Sequence, residues 1–145
     1  MNFVNAHTLA DERGIRVAEQ KDPESVDFAE VLRVEVVSDA GSNEVAGTAF
    51  GPREVPHLVS VYGQTFNIAV APHFAFFRYR DEPGMIGRVG SIFGERGVNI
   101  ASAAVGAEAG TEAVMAVTSD KPVPQELIDE IAQLAGFFDG RAVNL

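Results

Sequence analysis

The sequence predicts an α+β protein, with an antiparallel sheet in its first half and a βαββαβ unit in its second half. Two observations support this fold class. Residues 30–70 contain four short apolar or alternating runs separated by turn residues, which is typical of antiparallel strands. From residue 74 onward, two stretches with apolar residues at helical spacing are interleaved with four short apolar runs. The 145 residues are enough for one ordinary domain or two small ones.

The first half is predicted to hold one helix and four strands. The helix covers residues 3–14, beginning near Asn5 and ending at Gly14, and residues 15–19 follow as a short strand. Next come a polar loop at 20–27 and strands at 30–38, 43–50, 58–62 and 65–70, with a hairpin turn at Gly63-Gln64. Alternation along the strand at 30–38 groups three apolar residues that should face a core, namely Leu32, Val34 and Val36.

The second half is predicted to be a ferredoxin-like plait that follows a domain boundary at Ala71-Pro72, so that the two parts are 1–72 and 73–145. An aromatic strand at 74–79 leads through a turn at 81–84 into a helix at 85–96, which Gly97 ends. The apolar face of this helix is assigned to Ile86, Val89, Ile92 and Phe93. Strands at 100–105 and 113–118, joined by a turn at 106–110, precede a helix from Pro122 to Gly136 and a last strand at 137–143.

Composition narrows the class of protein. A 46% apolar content is typical of a globular chain, and the net charge of −10 disfavours nucleic-acid and anionic-membrane partners. We expect no transmembrane segment, because no apolar run reaches about 20 residues. The charged residues that soon follow Met1 do not suggest a signal peptide, and the absence of cysteine fits a cytoplasmic protein. Three scattered histidines without cysteine partners predict no metal site.

Asp81 is the most informative candidate for binding chemistry. It stands at the end of a strand and just before a helix, where a carboxylate can cap the helix or oppose its dipole. The same position could serve a zwitterionic amino acid. Asp81 would then hold the ammonium group, and the free N–H groups of Met85 and Ile86 would hold the carboxylate. Both interpretations stay open at this level.

Three further features have competing interpretations. Gly87, Gly90 and Gly94 recur at helical spacing, which favours close approach to a sheet, a helix or a partner chain over a phosphate-binding loop. Arg78 and Arg80 share one strand face, with Tyr79 on the other, and could pair with acidic groups across an interface or hold an anion. We favour pairing. No nucleophile or dinucleotide-binding loop is visible, so the chain by itself is not expected to be an enzyme.

The turn region carries a family resemblance. Tyr79, Asp81, Pro83 and Gly84, followed by Gly97-Val98-Asn99-Ile100, resemble the opening of an ACT domain. Upstream, Asn2 to Ala6, Glu12 to Ile15 and Gly47 to Gly51 resemble the segment that precedes the ACT domain in long-form D-3-phosphoglycerate dehydrogenases. The resemblance covers nearly the whole chain and implies the end of an intervening domain followed by an amino-acid-binding regulatory domain.

The resemblance implies an effector site at a subunit interface. Its residues would be Tyr79, Asp81, Pro83, Gly84, Met85, Ile86 and Asn99, with Asn99 supplied by the neighbouring subunit. The implied effector is a small amino acid such as L-serine, the assembly a homo-oligomer through ACT domains, and the regulated partner the NAD-dependent catalytic domains of the parent chain. No cofactor is expected in this part of the enzyme.

One departure from the family pattern and two alternative functions accompany the resemblance. The stretch 59–72 has no lysine or arginine, and only Arg53 and His57 are nearby, so an anion site of the intervening domain is not carried over. One alternative function is a structural oligomerisation module without an effector. Another is the regulatory region of an L-serine dehydratase, which resembles this chain in layout but is disfavoured by the segment from Asn2 to Ala6.

Overall fold

The computed structural model describes residues 6–19, 31–39, 41–106 and 111–145. A helix α1 (Ala6–Glu12) is followed by four strands: β1 (Leu32–Ser38), β2 (Gly41–Phe50), β3 (Val55–Val61) and β4 (Gln64–Ala69). The second half contains β5 (His73–Arg80), α2 (Met85–Glu95), β6 (Ile100–Gly106), β7 (Glu112–Ser119), α3 (Gln125–Ala132) and β8 (Phe137–Asn144). The predicted α+β class with a βαββαβ second half is confirmed.

The strands form two four-stranded antiparallel sheets, which we call the first and second sheets. The first sheet has the order β1-β2-β3-β4, and the second has the order β6-β7-β5-β8. The last strand of the first sheet, β4, ends at Ala69, and the first strand of the second sheet, β5, begins at His73. The division into domains at 1–72 and 73–145 stays a prediction.

The core lies on both faces of the second sheet. On one face, Phe77 and Tyr79 of β5 pack against buried residues of both helices, among them Phe93 of α2 and Ile128 of α3. On the opposite face, Phe74 and Phe76 stack at a centroid distance of 5.4 Å. This second cluster also contains the first-sheet residues Val61, Phe66 and Ile68. The second sheet is therefore sandwiched between two helices and the first sheet.

Gly97 ends helix α2, as the sequence predicted. Gly97 has φ 63°, a left-handed conformation that costs glycine little. Its N–H donates to the Gly94 carbonyl at 3.0 Å, and the Val98 N–H donates to the Phe93 carbonyl at 2.9 Å. This pair of hydrogen bonds is a Schellman motif, which satisfies the last carbonyls of the helix.

The two sheets touch most closely where β6 meets β4. A Cβ atom built on Gly106 would lie 2.6 Å from the Thr65 carbonyl oxygen and 3.1 Å from Cδ1 of Phe66. Any larger side chain at this position would have to displace the β4 backbone. Glycine at the end of β6 therefore permits the first sheet to pack directly on the edge strand of the second.

Several local predictions were wrong. Residues 15–19 are described and form no strand, and α1 ends at Glu12, two residues before the predicted Gly14; the predicted start of this helix lies outside the described residues. The hairpin turn lies at Tyr62-Gly63 instead of Gly63-Gln64, because these two residues have the positive φ values (53° and 76°) of a type I′ turn. The last helix ends at Ala132, before Gly136.

The apolar faces of two elements also differ from the prediction. In α2 the core receives Met85, and Ile86 is 58% exposed, because the helix is rotated toward the Met85–Val89–Phe93 row. In β1 the apolar residues Leu32, Val34 and Val36 do not face a core, because this strand extends past the second sheet and all seven residues are exposed. The predicted loop at 20–27, the segment 2–5 and most of the turn at 106–110 lie outside the described residues.

Candidate functional site

The candidate site begins at the loop between β5 and α2. Asp81 is exposed, and its backbone N–H donates to the Thr111 carbonyl at 2.9 Å, which holds the start of the loop against β7. The preceding residue, Arg80, donates its N–H to the Gly136 carbonyl at 2.7 Å. The loop therefore leaves the end of the central strand with a fixed backbone path, while the carboxylate of Asp81 faces solvent.

The N-terminus of α2 is capped by backbone conformation alone. The N-cap residue is Gly84, with φ 92°, and no side chain makes a capping hydrogen bond to the helix. The interpretation of Asp81 as the N-cap is therefore wrong. Because no acidic residue lies in the first turn, the positive end of the helix dipole has no carboxylate of its own helix beside it. The first-turn N–H groups at Met85 and Ile86 are suited to an external anion such as a carboxylate.

Tyr79 lies beneath this loop, with its side chain almost fully buried. Its ring is 5.7 Å from the Phe137 ring between centroids. Burial raises the pKa of the Tyr79 phenol above its ordinary 10.0, and repulsion by the Asp81 carboxylate raises this pKa further.

We expect Tyr79 to ionise only above pH 10.0 in the folded protein. Because the folded pKa is raised, the stability linked to this proton is complete below pH 10.0 and is lost as pH rises through the folded value. The measurement is a phenolate absorbance titration of Tyr62→Phe, which leaves Tyr79 as the one tyrosine in the chain. Adding Asp81→Asn should lower the midpoint, whereas an unchanged midpoint would contradict the proximity of the two groups.

Asn99 lies far from Asp81 in the same chain. Asp81 is held by Thr111, before the start of β7, whereas Asn99 and Asp120, at the other end of β7, share hydrogen bonds of 3.2 and 3.3 Å. The eight residues of β7 separate these two ends of the second sheet by roughly 25 Å. The structure therefore brings Tyr79, Asp81, Pro83, Gly84, Met85 and Ile86 together and leaves Asn99 apart from them.

The arginines on the strand before the loop are paired within the chain. Arg78 contacts Glu112 at 3.1 Å, and Arg80 contacts Glu82 at 3.4 Å. Arg78 also lies over the Tyr62 ring of the first sheet, 5.5 Å from its centroid. The preference for ion pairing over an anion site agrees with this geometry, although the acidic partners belong to the same chain.

The glycine stripe of α2 has no close neighbour inside the described chain. Cβ atoms built on Gly87, Gly90 and Gly94 would meet nothing within 4 Å. The prediction that these glycines permit close approach to a sheet or to another helix of this chain is therefore wrong. Of the packing partners considered for these positions, a separate polypeptide chain is the one that the geometry still permits.

A groove that sequence reasoning did not find lies between α2 and the segment that follows α3. Its open volume is about 660 Å³, and its lining comprises Gly84, Gly87, Arg88, Ser91, Ile92, Leu134 and Ala135. Arg88 crosses it and donates to the Ala135 carbonyl at 3.1 Å. Because these lining residues come from α2 with its N-cap and from the segment that follows α3, about fifty residues later in the chain, only the tertiary structure reveals the groove. It meets the β5–α2 loop at Gly84.

Other site classes find no support in the described ranges. Within residues 6–19, 31–39, 41–106 and 111–145, no three histidine, aspartate or glutamate side chains are grouped in a way that could hold a metal ion. Among the helices of these ranges, none combines the length and apolar character needed to cross a bilayer.

Comparison with known protein families matches two models along the chain. Residues 1–62 match the D-3-phosphoglycerate dehydrogenase intervening domain, and residues 73–136 match the ACT domain. The chain joins a D-3-phosphoglycerate dehydrogenase intervening domain to an ACT domain. The Asp81 loop and Asn99, which lie at opposite ends of the second sheet, are both within the residues that match the ACT domain.

Individual relatives match over the whole chain. It is 36% identical to a D-3-phosphoglycerate dehydrogenase of Synechocystis sp., 33% identical to one of Archaeoglobus fulgidus and 30% identical to one of Bacillus subtilis. All of this chain is covered in each case, but only 26% to 28% of the relative. The chain thus spans about a quarter of the length of the relatives that it matches.

Proposed function

We propose that this chain is the regulatory region of a D-3-phosphoglycerate dehydrogenase and senses L-serine or a similar small amino acid between two ACT domains. The rest of such an enzyme would supply the catalytic domains and bind NAD, in the cytoplasm. The full coverage of this chain by several dehydrogenases of that name supports the parent enzyme. The geometry of the Asp81 loop supports the amino-acid site.

The observation that carries the proposal is the separation of Asn99 from Asp81. β6 and β5 both run antiparallel to β7, so β6 is parallel to β5, and Asn99 at its start lies at the end of the sheet opposite to Asp81. If two copies pair their β6 edges antiparallel, the start of one β6 lies beside the end of the other. Asn99 of the second copy then reaches the end of the sheet that carries Asp81, and two equivalent sites form.

The surface around β6 suits such a pairing. β6 is an edge strand of the second sheet, and its exposed residues include Ala103 and Val105. Ile86, Gly90 and Gly94 are spaced by four and share one flank of α2. That flank is turned away from α3, which packs on β8 at the other edge of the sheet. A second copy could therefore approach both β6 and α2 closely.

The proposed site divides recognition among three groups. Asp81 pairs with the ammonium group of the amino acid, and the N–H groups at the start of α2 bind its carboxylate. Asn99 of the second subunit closes the site with an amide that can both donate and accept hydrogen bonds. Because the ligand contacts both subunits, it stabilises this arrangement relative to any other, which is the thermodynamic requirement for allosteric control.

Mixing two inactive variants tests the shared site. Asp81→Asn and Asn99→Ala should each weaken L-serine binding so far that calorimetry shows no saturation over the concentrations that saturate wild type, because every site in either homodimer lacks one partner. An equimolar mixture should regain binding, because each mixed dimer contains one intact site and one doubly altered site. Random mixing makes half of the dimers mixed, so about one quarter of the wild-type stoichiometry is expected.

The other outcomes have definite meanings. Mixed variants that stay silent beside a binding wild type would exclude a site built from both subunits. A wild-type dimer that gives no heat with L-serine, glycine or other small amino acids would overturn effector sensing and favour the structural oligomerisation module. Light scattering on each sample provides the control for association.

A further inference from the structure

Among the residues that the structure describes, strand β1 pairs with another strand along one edge, and its side chains are exposed on both faces. It is the terminal strand of the first sheet, and among the residues that the structure describes only β2 pairs with it. All seven of its residues are exposed. Exposed edges of this kind offer free backbone N–H and C=O groups to any compatible strand, and proteins normally protect them.

The apolar face of β1 continues an interface that already exists in the chain. Val34 lies opposite Val45 of β2, which in turn lies opposite Val61 of β3. Val61 is 7% exposed because it packs against the second sheet, Val45 is half-buried, and Val34 is 46% exposed. The face of the first sheet that packs on the second sheet therefore extends beyond the edge of the second sheet. There, at β1, no other described residues of this chain cover it.

The order of side chains along β1 is complementary to itself. If a second copy pairs antiparallel about a two-fold axis at Val34, Arg33 of each chain lies opposite Glu35 of the other. In the same register Leu32 lies opposite Val36, and Val31 lies opposite Val37. Each of these pairs joins opposite charges or two apolar residues, which are the favourable cross-strand combinations.

Charges within the first sheet favour the same register. Glu35 lies directly opposite Glu44 of β2, and a like-charge pair of this kind is unfavourable across two strands. Within the chain, Glu44 forms an ion pair with Arg33. A second copy would place another arginine beside Glu35. A two-fold axis at Glu35 itself would instead oppose two glutamates, so the charges favour the axis at Val34 over the axis at Glu35.

We propose that β1 is a homotypic docking edge, where two copies of this chain pair antiparallel about Val34 to join their first sheets into one eight-stranded sheet. The occupant is a second copy because the strand matches its own sequence in one register, in both charge and apolar character. This contact uses the first sheet and is independent of amino-acid binding at the ACT domain.

Cysteine cross-linking tests the contact and its register. The natural chain contains no cysteine, so Val34→Cys introduces a single thiol. A short bismaleimide should link two Val34→Cys chains efficiently. The matched control is Val55→Cys, which is similarly exposed (41%) but lies on β3, an internal strand of the same sheet, and should give little product.

Charge variants in the Val34→Cys background test the pairing partner. Arg33→Glu alone and Glu35→Arg alone should each reduce the cross-linked yield roughly tenfold, because each makes two like-charge pairs in the dimer. Mixing the two variants should restore the yield, since the two glutamates of one chain then meet the two arginines of the other. Glu35→Arg also gains an opposite charge at Glu44 within its own chain, so its loss of product cannot reflect a weakened β1.

The proposal is overturned by any of three results. These are equal cross-linking at positions 34 and 55, a yield that does not change with the single charge variants, and a mixture that fails to restore it. The first would show that copies do not meet at this edge. The other two would show that the edge serves a different strand, from another segment of a longer polypeptide or from another protein.

Discussion

Phe77→Ala is expected to lower the free energy of unfolding by about 4 kcal/mol, the range for a large aromatic side chain removed from a core. Phe77 is fully buried at the centre of the second sheet, on a strand that is paired on both sides. Its ring lies edge-on to Phe93 of α2 at 6.3 Å and to Phe137 of β8 at 6.0 Å. Truncation therefore removes apolar burial and two aromatic contacts, and it leaves a cavity between a helix and the sheet.

Urea unfolding of wild type and variant measures this loss. Phe138→Ala is the matched control, because the same residue type on β8 is 49% exposed and its removal should cost less than about 0.5 kcal/mol. If Phe77→Ala proves too unstable to purify, Phe77→Leu should still fold with a loss of roughly 1 kcal/mol. Equal losses at positions 77 and 138 would contradict the burial of Phe77 in the core and the exposure of Phe138.

Asp81→Asn is expected to weaken L-serine binding about 100-fold, the loss of roughly 3 kcal/mol that follows when a charged hydrogen-bond partner is removed. The substitution keeps the shape and replaces the carboxylate by an amide, so the ammonium group of the ligand loses its counter-ion. Stability should change little, because Asp81 is exposed and its side chain does not cap α2.

Isothermal titration together with thermal unfolding separates these two effects. The matched control is Glu82→Gln, the neighbouring exposed carboxylate, which pairs with Arg80 at 3.4 Å. It should bind L-serine within about twofold of wild type, since exposed ion pairs contribute little. A variant at position 82 that loses as much affinity as Asp81→Asn would show that net loop charge matters, and not a specific contact at Asp81.

The contrast between α2 and β1 shows which features the sequence could predict. Helical spacing identified α2 correctly, but Met85 and Ile86 are adjacent apolar residues, and only packing against the sheet decides which of them is buried. Alternation on β1 correctly grouped Leu32, Val34 and Val36 on one face. The sequence pattern cannot show where the opposing layer ends, so their exposure was not foreseen.

The sequence predicted which residues form the candidate loop better than it predicted their conformation or the groove beside them. The loop residues from Tyr79 to Ile86 are close in sequence, so their proximity follows from the strand–turn–helix pattern. The absence of a side-chain cap depends on the conformation of Gly84, which composition leaves open. The groove joins α2 to the segment after α3, about fifty positions further along the chain, so it depends on tertiary packing that the sequence pattern does not give.

The placement of Asp81 and Asn99 at opposite ends of one sheet has a consequence for how an effector would be sensed. A lone subunit holds only half of each proposed site, so ligand binding and subunit association are one coupled equilibrium. Apparent affinity should rise with protein concentration, and the amino acid should in turn tighten the dimer by the same factor. A cell that makes more of this protein would thereby lower the effector level at which it responds.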